Sequence, residues 1–375
     1  MKRIGYVYDK MANKALIRQC IINGSVGKRK RWDVKLVMED VDGYTNKIYD
    51  LVVNHSFVPT TPKSKNIKDK SSGKERCIKI VPYYPDGIMH WLIVEVLRNQ
   101  VFMHGMYRWS CASIPKRGNM AAVKYMQKAM SQRKSKTKYC AKMDIRHYYQ
   151  SIDADKLMAA LEHRMKDKEM LRLIRSIIDS DPDPGLSIGY YINQWLANYY
   201  LQPLDHYIAS LGLSNFYIRN MDDLVLLGPN KKKLHLAVRL IQGFLGDMGL
   251  TMKANWQVFK VDSRGVDFVG YRFFHGYTIL RKRNFLKLTR QSRRIQKKLA
   301  NGQEVSFHAA SGMLSRAGQL KHCNGFAIKK RYIDIIGENR LKDIVRKGPK
   351  VIVADNTNIG GGIEAVEEEV GSNAD

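Results

Sequence analysis

The sequence lacks the features expected of a membrane or secreted protein. No run of about 18 apolar residues is present, which excludes a membrane-spanning helix. The first ten residues, MKRIGYVYDK, do not contain the apolar core of a signal peptide. The five cysteines are scattered and never spaced as Cys-x-x-Cys, which argues against a disulfide framework or a zinc site and fits a reducing cytosol. We therefore expect a cytoplasmic protein with no membrane partner.

Acidic residues are scarce relative to basic ones. The 375 residues include 64 Lys and Arg but only 35 Asp and Glu, a net charge of +29. The last 22 residues carry six acids and no base, so the remainder of the chain has a net charge of +35. A folded body with this excess repels itself unless a polyanion neutralises it, and nucleic acid is the usual one. A merely solvated lysine-rich surface is the other explanation, and at this magnitude we favour nucleic-acid binding.

Strand and helix patterns alternate through the middle of the chain. The periodicity predicts strands at 76–81, 138–143, 216–219 and 224–227, and a strand pair or hairpin at 266–274. It predicts helices at 84–99, 155–180, 194–211 and 231–248. The polar segment 60–74 is typical of a flexible basic turn between two strands. This order indicates an α+β fold with a palm-like core built around a hairpin.

The window 281–298 differs from the rest because it holds nine bases and no acid. Its apolar residues share one helical face, so we expect a helix with a buried apolar face and an exposed basic face. We predict a helical domain at 280–350, preceded by an N-terminal extension at 1–60 and a main domain at 61–279. The acidic, Gly-rich segment 351–375 is predicted to be disordered.

Two acidic motifs lie where predicted strands end. Asp144 follows one apolar strand, and Asp222-Asp223 lie in the tight turn between two others. Each motif alone is ordinary, because aspartates are common in turns and at strand ends. Three carboxylates that converge on one place need cations to remain charged together. Two Mg²⁺ ions about 3.5–4 Å apart would satisfy them and suit phosphoryl transfer, with Asp144 and Asp222 as bridging ligands and Asp223 as a weaker one.

Several segments resemble the palm motifs of bacterial reverse transcriptases. They are DIRHYYQSID at 144–153, IGYYINQ at 188–194 and YIRNMDDLVLL at 217–227. Flanking segments agree in the same order, namely KERCI at 74–78, SIPKRG at 113–118, NWQ at 255–257 and RGVDFVGYR at 264–272. The resemblance covers about residues 60–330. Within the family, the series NWQ, RGVDFVGYR and LRK is most similar to reverse transcriptases of diversity-generating retroelements.

The resemblance implies a right-hand fold of fingers, palm and thumb, with a metal-dependent catalytic centre in the palm. Asp144, Asp222 and Asp223 would form the catalytic triad, and the backbone carbonyl of Ile145 would be a further metal ligand. The implied cofactor is a pair of Mg²⁺ ions, with Mn²⁺ as an alternative.

The resemblance also implies a nucleotide site. Tyr149 would pack beneath the sugar of the incoming dNTP and exclude a ribose 2′-hydroxyl, and the backbone amides of 146–148 would face its triphosphate. An ordinary core role for Tyr149, solvated roles for Lys74 and Arg76 and a helix-capping role for Gln194 are the competing interpretations. The predicted nucleotide-binding residues are Lys74, Arg76, Ile145, Arg146, His147, Tyr148, Tyr149 and Gln194.

A helical thumb is implied for the basic window, lying along the template–primer duplex and contacting phosphates. The segment 268–271 resembles the primer grip. The predicted nucleic-acid-binding residues are Arg281, Lys282, Arg283, Arg290, Arg293 and Arg294.

The chain departs from the family pattern at two positions. Asn220 replaces the usual tyrosine before the aspartate pair, and Asn193 replaces the usual serine before Gln194. Both changes are expected to touch the nascent base pair and to alter fidelity or primer handling. Lys253 is a poor match to the lysine that would protonate pyrophosphate, so this role is left unassigned.

These observations predict an RNA-directed DNA polymerase that copies a dedicated structured RNA into cDNA from dNTPs, in the context of a diversity-generating retroelement. The resemblance further implies a small basic accessory protein as a partner. A defence-associated or retron-like reverse transcriptase is the nearest alternative, and a non-catalytic RNA-binding module is a third. The presence of all three aspartates argues against the third.

Overall fold

The computed structural model describes residues 3–68 and 75–348, so the predictions for Lys74 and for the tail at 351–375 lie outside the described residues. The strands are β1 (Lys63–Lys68), β2 (Glu75–Ile80), β3 (Tyr139–Asp144), β4 (Phe216–Asn220), β5 (Asp223–Gly228), β6 (Gln257–Lys260), β7 (Val266–Phe268), β8 (Tyr271–Phe274) and β9 (Tyr277–Leu280). Within these ranges, no helix is both long and apolar enough to cross a bilayer.

The helices of the described residues are α1 (Lys14–Ser25), α2 (Trp32–Glu39), α3 (Val41–Val53), α4 (Ile88–Leu97), α5 (Gly118–Met130), α6 (Ala154–Arg164), α7 (Lys168–Asp179), α8 (Tyr191–Tyr200), α9 (Gln202–Ser210), α10 (Lys231–Asp247), α11 (Val261–Arg264), α12 (Lys282–Ala300), α13 (Phe307–Leu320), α14 (Phe326–Lys329) and α15 (Glu338–Arg346). The chain divides into two compact units, one formed by residues up to 285 with 322–325 and the other by 286–321 with residues from 326 onward. The domain boundaries expected from the sequence remain predictions.

The first unit is built around a four-stranded antiparallel sheet in the order β4-β5-β3-β6. Side chains alternate between the two faces of a strand, so partners across the ladder share a face. Ala141 and Met143 lie opposite Leu226 and Leu224, and all four are buried in the main hydrophobic core. Lys142 and Asp144, which alternate with Ala141 and Met143 along β3, therefore lie on the other face. One face of the sheet thus forms the core, and the other is polar near Asp144.

Two predicted helices are each divided in the structure. The helix predicted at 155–180 is interrupted because Met165 is extended and pairs with Ile4 in a parallel bridge. Asp167 then caps α7, accepting a hydrogen bond from the amide of Met170 at 3.1 Å. The helix predicted at 194–211 is divided at Leu201, where Pro203 starts the first turn of α9 because proline has no amide to donate in the helix interior.

The prediction of a flexible turn at 60–74 is wrong for its first half. Residues Lys63–Lys68 form β1, which pairs antiparallel with β2 in the register Lys63 to Ile80. The strand is exposed along its whole length, so its lysines gave no period-2 apolar signal in the sequence. The rest of that segment, 69–74, lies outside the described residues.

A buried ion pair holds the hairpin formed by β4 and β5. Arg219 and Asp205 are both fully buried, and the guanidinium donates from Nε and Nη2 to the two carboxylate oxygens at 2.8 and 2.6 Å. Tyr217 donates its hydroxyl to the same carboxylate at 2.6 Å. Nη1 of Arg219 donates to the carbonyl of Met221 at 3.1 Å and to Asn198 Oδ1 at 3.2 Å. The pair therefore links α9 and α8 to the turn that follows β4.

We expect replacement of Asp205 by Asn to reduce the free energy of unfolding by about 3–5 kcal/mol, because it leaves the buried Arg219 charge unpaired. The measurement is urea unfolding followed by circular dichroism. Asp179→Asn is the control, since Asp179 pairs with Arg175 on the surface and its loss should cost less than about 1 kcal/mol. The double variant Asp205→Leu with Arg219→Met should recover much of the loss, and equal losses in the two single Asp variants would contradict the analysis.

Candidate active site

The structure brings the three predicted aspartates to one end of the central sheet. Asp144 is the last residue of β3 and lies opposite Asp223, the first residue of β5. Asp222 lies in the turn between β4 and β5, where Met221 has a φ of 57°. The amide of Ile145 donates to the carbonyl of Asp222 at 3.1 Å, which fixes the turn against the end of β3. The strand register therefore sets the mutual position of the three carboxylates.

Burial and mutual repulsion make these carboxylates hard to ionise together. The pKa of Asp222 is raised by burial and by the charge of Asp144, although the charges of Lys253 and Arg76 oppose the rise. The pKa of Asp223 is raised to about 7, mainly by burial and further by the charges of Asp144 and Asp222, while Lys142 opposes it. The basic side chains of the site thus do not fully offset the effects that raise these two pKa values, and a bound cation would stabilise the ionised carboxylates further.

Two lysines contact the carboxylates. Lys253 Nζ forms an ion pair with Asp144 Oδ1, and Lys142 Nζ lies 3.5 Å from Asp223 Oδ2. Lys142 shares a face with Asp144 because the two are separated by two positions in β3. Lys253 reaches the site because its amide donates to the carbonyl of Asp144 at 2.8 Å. Sequence matching passed over Lys253, and the signal available was Gly249, which ends α10 and returns the chain toward β3.

The donor set fits a divalent cation. Asp223 Oδ1 is buried and has no hydrogen-bond partner within the part of the chain that the structure describes. The backbone bridge between Ile145 and Met252 uses the amides of Arg146 and Lys253, so neither of its hydrogen bonds engages the carbonyl of Ile145. Among the described residues no group of three or more His, Cys, Asp or Glu is already arranged to hold a metal ion, and lysines pair with Asp144 and Asp223. Carboxylate and carbonyl oxygens are the ligands that Mg²⁺ prefers, and its charge would lower the raised pKa values.

Tyr148 and Tyr149 have different environments. Tyr148 is buried and donates its hydroxyl to the carbonyl of Ala197, so it belongs to the core. Tyr149 is half-buried, and its hydroxyl lies 3.8 Å from Met221 Sδ in the turn that carries Asp222. Burial, followed by the charge of Asp222, raises the pKa of Tyr149. Of the two rings, that of Tyr149 lies beside the carboxylates.

The loop that follows α7 supports the backbone of Tyr149. The amide of Leu186 donates to the carbonyl of Tyr149 at 2.8 Å. Gly185 has a φ of +80°, and a Cβ there would lie 2.4 Å from the same carbonyl oxygen, so only glycine fits. Lys79 of β2 forms ion pairs with Asp181 at 2.9 Å and with Asp183 in this loop. The loop therefore joins the β1–β2 hairpin to the backbone of Tyr149.

The remaining predicted nucleotide-binding residues are placed unevenly. Arg76 is exposed on β2, and its charge acts on Asp222. Gln194 is exposed on α8, and Arg146 and His147 are exposed beyond β3. The amide of Arg146 donates to the carbonyl of Thr251 at 2.7 Å, so it is already engaged within the protein. The amides of His147 and Tyr148 remain as candidates.

The two departures from the family pattern lie in different environments. Asn220 pairs with Asp223 across the hairpin, and its Oδ1 is buried without a described hydrogen-bond partner. Asn193 is only 1% exposed and donates to the carbonyl of Ser187 at 3.0 Å. Asn193 is therefore a buried residue that fixes the preceding loop, and its own side chain does not reach a surface where a base pair could touch it.

The basic helix α12 has the amphipathic character that the sequence predicted. Leu288 and Ile295 are buried. The exposed predicted contacts are Lys282, Arg283, Arg290, Arg293 and Arg294. The prediction for Arg281 is not supported, because Arg281 precedes the helix and forms an ion pair with Asp267. Its charge is thus already neutralised within the protein.

A cavity of about 340 Å³ lies beside Asp144. Its lining is polar and basic, with aromatic surfaces contributed by the segment after Lys253. Among the lining residues are Lys142, Trp256, Phe259, Arg264 and Arg272. The guanidinium of Arg264 lies 3.9 Å from the centroid of the Phe259 ring. Asp144 therefore borders an open space with positive charge and flat aromatic surfaces, which suits a nucleotide chain.

Comparisons with solved structures give distant matches among telomerases. Telomerase from Candida tropicalis in complex with a TWJ fragment of telomeric RNA is 11% identical, covers 81% of this chain and 62% of that chain, and has a TM-score of 0.45. Apo telomerase from Candida tropicalis is 12% identical, with coverages of 58% and 47% and a TM-score of 0.43. Telomerase from Candida albicans in complex with the same kind of fragment is 15% identical, with coverages of 60% and 46% and a TM-score of 0.41. The chain thus spans about half the length of the second and third of these solved chains, and no curated protein matches it.

A family model described as reverse transcriptase (RNA-dependent DNA polymerase) matches residues 67–273. The match extends over more than half of the chain and includes Asp144, Tyr149, Asp222 and Asp223. It agrees with the antiparallel sheet, the hairpin and the carboxylate site described above. The chain belongs to the reverse transcriptase family of RNA-dependent DNA polymerases and has the right-hand polymerase fold of that family, in a mixed α and β architecture.

Proposed function

We propose that this chain is an RNA-directed DNA polymerase that copies a dedicated structured RNA into cDNA, in the context of a diversity-generating retroelement. The observation that carries the polymerase assignment is the meeting of Asp144, Asp222 and Asp223 at one sheet end, with raised pKa values at Asp222 and Asp223. Such a cluster is costly unless cations bind it, and phosphoryl transfer uses such cations. A non-catalytic RNA-binding protein would have no use for it.

Asp144, Asp222, Asp223 and the carbonyl of Ile145 would hold two Mg²⁺ ions. When bound, these ions would supply activation of the attacking 3′-hydroxyl and neutralisation of charge on the departing pyrophosphate. Arg76 and the amides of His147 and Tyr148 would bind the triphosphate of the incoming dNTP. Lys253, which already lies against Asp144, would add positive charge where pyrophosphate forms.

Tyr149 would select deoxyribonucleotides. The hydroxyl of its half-buried ring lies beside Met221, and the Gly185 loop holds the backbone carbonyl of Tyr149 in place. A ribose 2′-hydroxyl would collide with the ring, whereas a deoxyribose would pack on it. The ring therefore acts by exclusion and needs no hydrogen bond to the sugar.

The retroelement context is supported by the motif series at 255–257, 264–272 and 280–282, and a small basic accessory protein would be the partner that this context brings. In a diversity-generating retroelement, the template would be a repeat RNA that the enzyme copies with frequent errors at adenines. The segment 255–257 and Arg264 and Arg272 line the cavity beside Asp144, where they can influence how the primer end and template are held.

We expect sequencing of the RNA that co-purifies with the protein from its host to recover one dominant transcript. That transcript should match a neighbouring protein-coding segment except at adenines. The same sequencing on the Asp222→Asn variant is the control, since binding does not need the carboxylate. A transcript with no coding counterpart would contradict the retroelement context and favour a defence-associated or retron-like role.

Replacement of Asp222 by Asn should reduce dNTP incorporation on a primed RNA template by more than about 10²–10³-fold, because it removes a ligand of the charge-stabilising centre. RNA binding should stay nearly unchanged, since the basic side chains of α12 that would contact phosphates are not altered. Asp247→Asn is the matched control, because Asp247 is exposed at the end of α10 and should retain full activity. Near wild-type primer extension by Asp222→Asn would refute the polymerase assignment.

Replacement of Tyr149 by Ala should allow rNTP incorporation that the wild type rejects. Truncation removes the ring beside the sugar and leaves Asp144 in place. Tyr148→Phe is the control, because it removes only the hydroxyl bond to Ala197 in the core and should keep the wild-type discrimination. The measurement is the ratio of rNTP to dNTP incorporation on one template, and an equal ratio for wild type and Tyr149→Ala would show that the sugar lies elsewhere.

Neutralising Arg290, Arg293 and Arg294 together should flatten the salt dependence of RNA binding. Each lost phosphate contact lowers the slope of log affinity against log salt by roughly 0.7–0.9. The control is the simultaneous replacement of Lys231, Lys232 and Lys233, which are also exposed but lie on α10. A full slope in the arginine variant would mean that α12 faces solvent when RNA is bound.

A further inference from the structure

The turn between α1 and α2 is the most exposed basic segment of the N-terminal region. Every residue from Val26 to Trp32 is exposed, and the sequence VGKRKRW has four bases and no acid. Trp32 is 80% exposed. Its indole ring therefore offers an accessible flat surface directly beside four basic residues. We refer to residues 26–32 as the basic turn.

The basic turn is held firmly by the residues around it. Asp33 forms an ion pair with Arg31 at 2.6 Å and accepts a hydrogen bond from the amide of Tyr83 at 3.1 Å. At the other end, Gly24 lies so close to the Tyr83 hydroxyl and the Trp91 ring that a Cβ there would be 3.0 Å and 3.1 Å from them. Because Trp32 directly precedes the anchored Asp33, its ring is presented outward from a fixed backbone. A preorganised side chain loses less entropy when it binds a ligand.

The charges next to Trp32 indicate the nature of the ligand. Asp33 neutralises Arg31, which leaves Lys28, Arg29 and Lys30 as exposed cations that form no ion pair within the described part of the chain. An aromatic ring flanked by cations suits a single-stranded nucleic acid. Its nucleobases stack on the ring, and its phosphates pair with the cationic side chains. A basic or apolar protein partner would leave these three cations unpaired.

The position of the basic turn agrees with this ligand. Tyr83, to which Asp33 is bonded, follows β2 by only a few residues. The β1–β2 hairpin exposes Lys63, Lys65 and Arg76. The anchoring of Asp33 to Tyr83 therefore brings a second basic surface next to the base of the hairpin, within the same unit of the chain.

We propose that the basic turn is a binding site for single-stranded RNA, in which Trp32 stacks on one base and Arg29 and Lys30 bind the neighbouring phosphates. The choice of RNA among polyanions rests on the proposed copying of RNA. The basic turn precedes β1 in the chain and shares no residue with the carboxylate centre, so it would hold a part of the template RNA other than the part being copied.

The first test measures binding of a fluorescein-labelled 20-nucleotide poly(U) RNA to the full chain by fluorescence anisotropy. Trp32→Ala should weaken binding about tenfold, because one base–aromatic stack is lost, whereas Trp32→Phe should stay within about threefold of wild type. Tyr6→Ala is the matched control, since Tyr6 is 78% exposed in the same unit without a basic turn around it. A 20-base-pair RNA duplex should bind wild type and Trp32→Ala equally, because its bases are not free to stack.

The second test concerns the phosphates. The double variant Arg29→Ala with Lys30→Ala should lower the salt slope for the single strand by about 1.4, at roughly 0.7 per contact. Lys231→Ala with Lys232→Ala is the control and should keep the slope. An unchanged slope in the first variant, or an unchanged poly(U) affinity in Trp32→Ala, would overturn the proposal.

The third test locates the contact directly. Poly(U) carrying 5-iodouridine should crosslink to Trp32 on irradiation, as read by mass spectrometry of the peptides. Loss of self-association in Trp32→Ala with unchanged RNA affinity would instead assign the turn to contact between copies of the chain and overturn the proposal. The measurements are repeated on Asp222→Asn, so failure of polymerisation and failure of this site are read separately. If the wild type incorporates dNTPs and Trp32→Ala binds poly(U) with wild-type affinity, the RNA site at the basic turn is refuted and the polymerase assignment stands.

Discussion

The ion pair between Arg219 and Asp205 is the interaction on which the active site depends. A fully buried guanidinium is tolerated only when its donors are all satisfied, and here they meet Asp205, Asn198 and the carbonyl of Met221. The last of these bonds fixes the turn that carries Asp222. The core of the first unit thus determines where a catalytic carboxylate lies, because the network cannot shift without leaving a buried charge unpaired.

At the catalytic end of the sheet, the fold holds three carboxylates close together although their negative charges repel one another. Antiparallel register places Asp144 against Asp223, and burial raises the pKa values of Asp222 and Asp223. Lys142 and Lys253 offset part of the cost from the polar face. Strain of this kind is expected where a protein is built to bind an additional charge, and it marks this end of the sheet as the functional one.

Residues that support the site were harder to foresee than residues that form it. The Gly185 loop was given no role from the sequence, yet it contacts the backbone of Tyr149 and is joined to β2 by Lys79. Arg281 was predicted to contact nucleic acid, but it pairs with Asp267 inside the protein. Such contacts join residues about 15 to 100 positions apart in the chain, and no local periodicity encodes which acid a given base will meet.

The sequence by itself determined the fold class, the enzyme family and the strand-turn-strand around Asp222, because these depend on motif order and on local apolar patterns that survive folding unchanged. It also determined the amphipathic character of α12. Only the tertiary structure decided that Met165 and Leu201 interrupt two long helical patterns, that Lys253 rather than another lysine contacts Asp144, and that Tyr148 is core while Tyr149 faces the site. These outcomes arise from packing and charge pairing between distant segments, which compete with local propensity and overrule it.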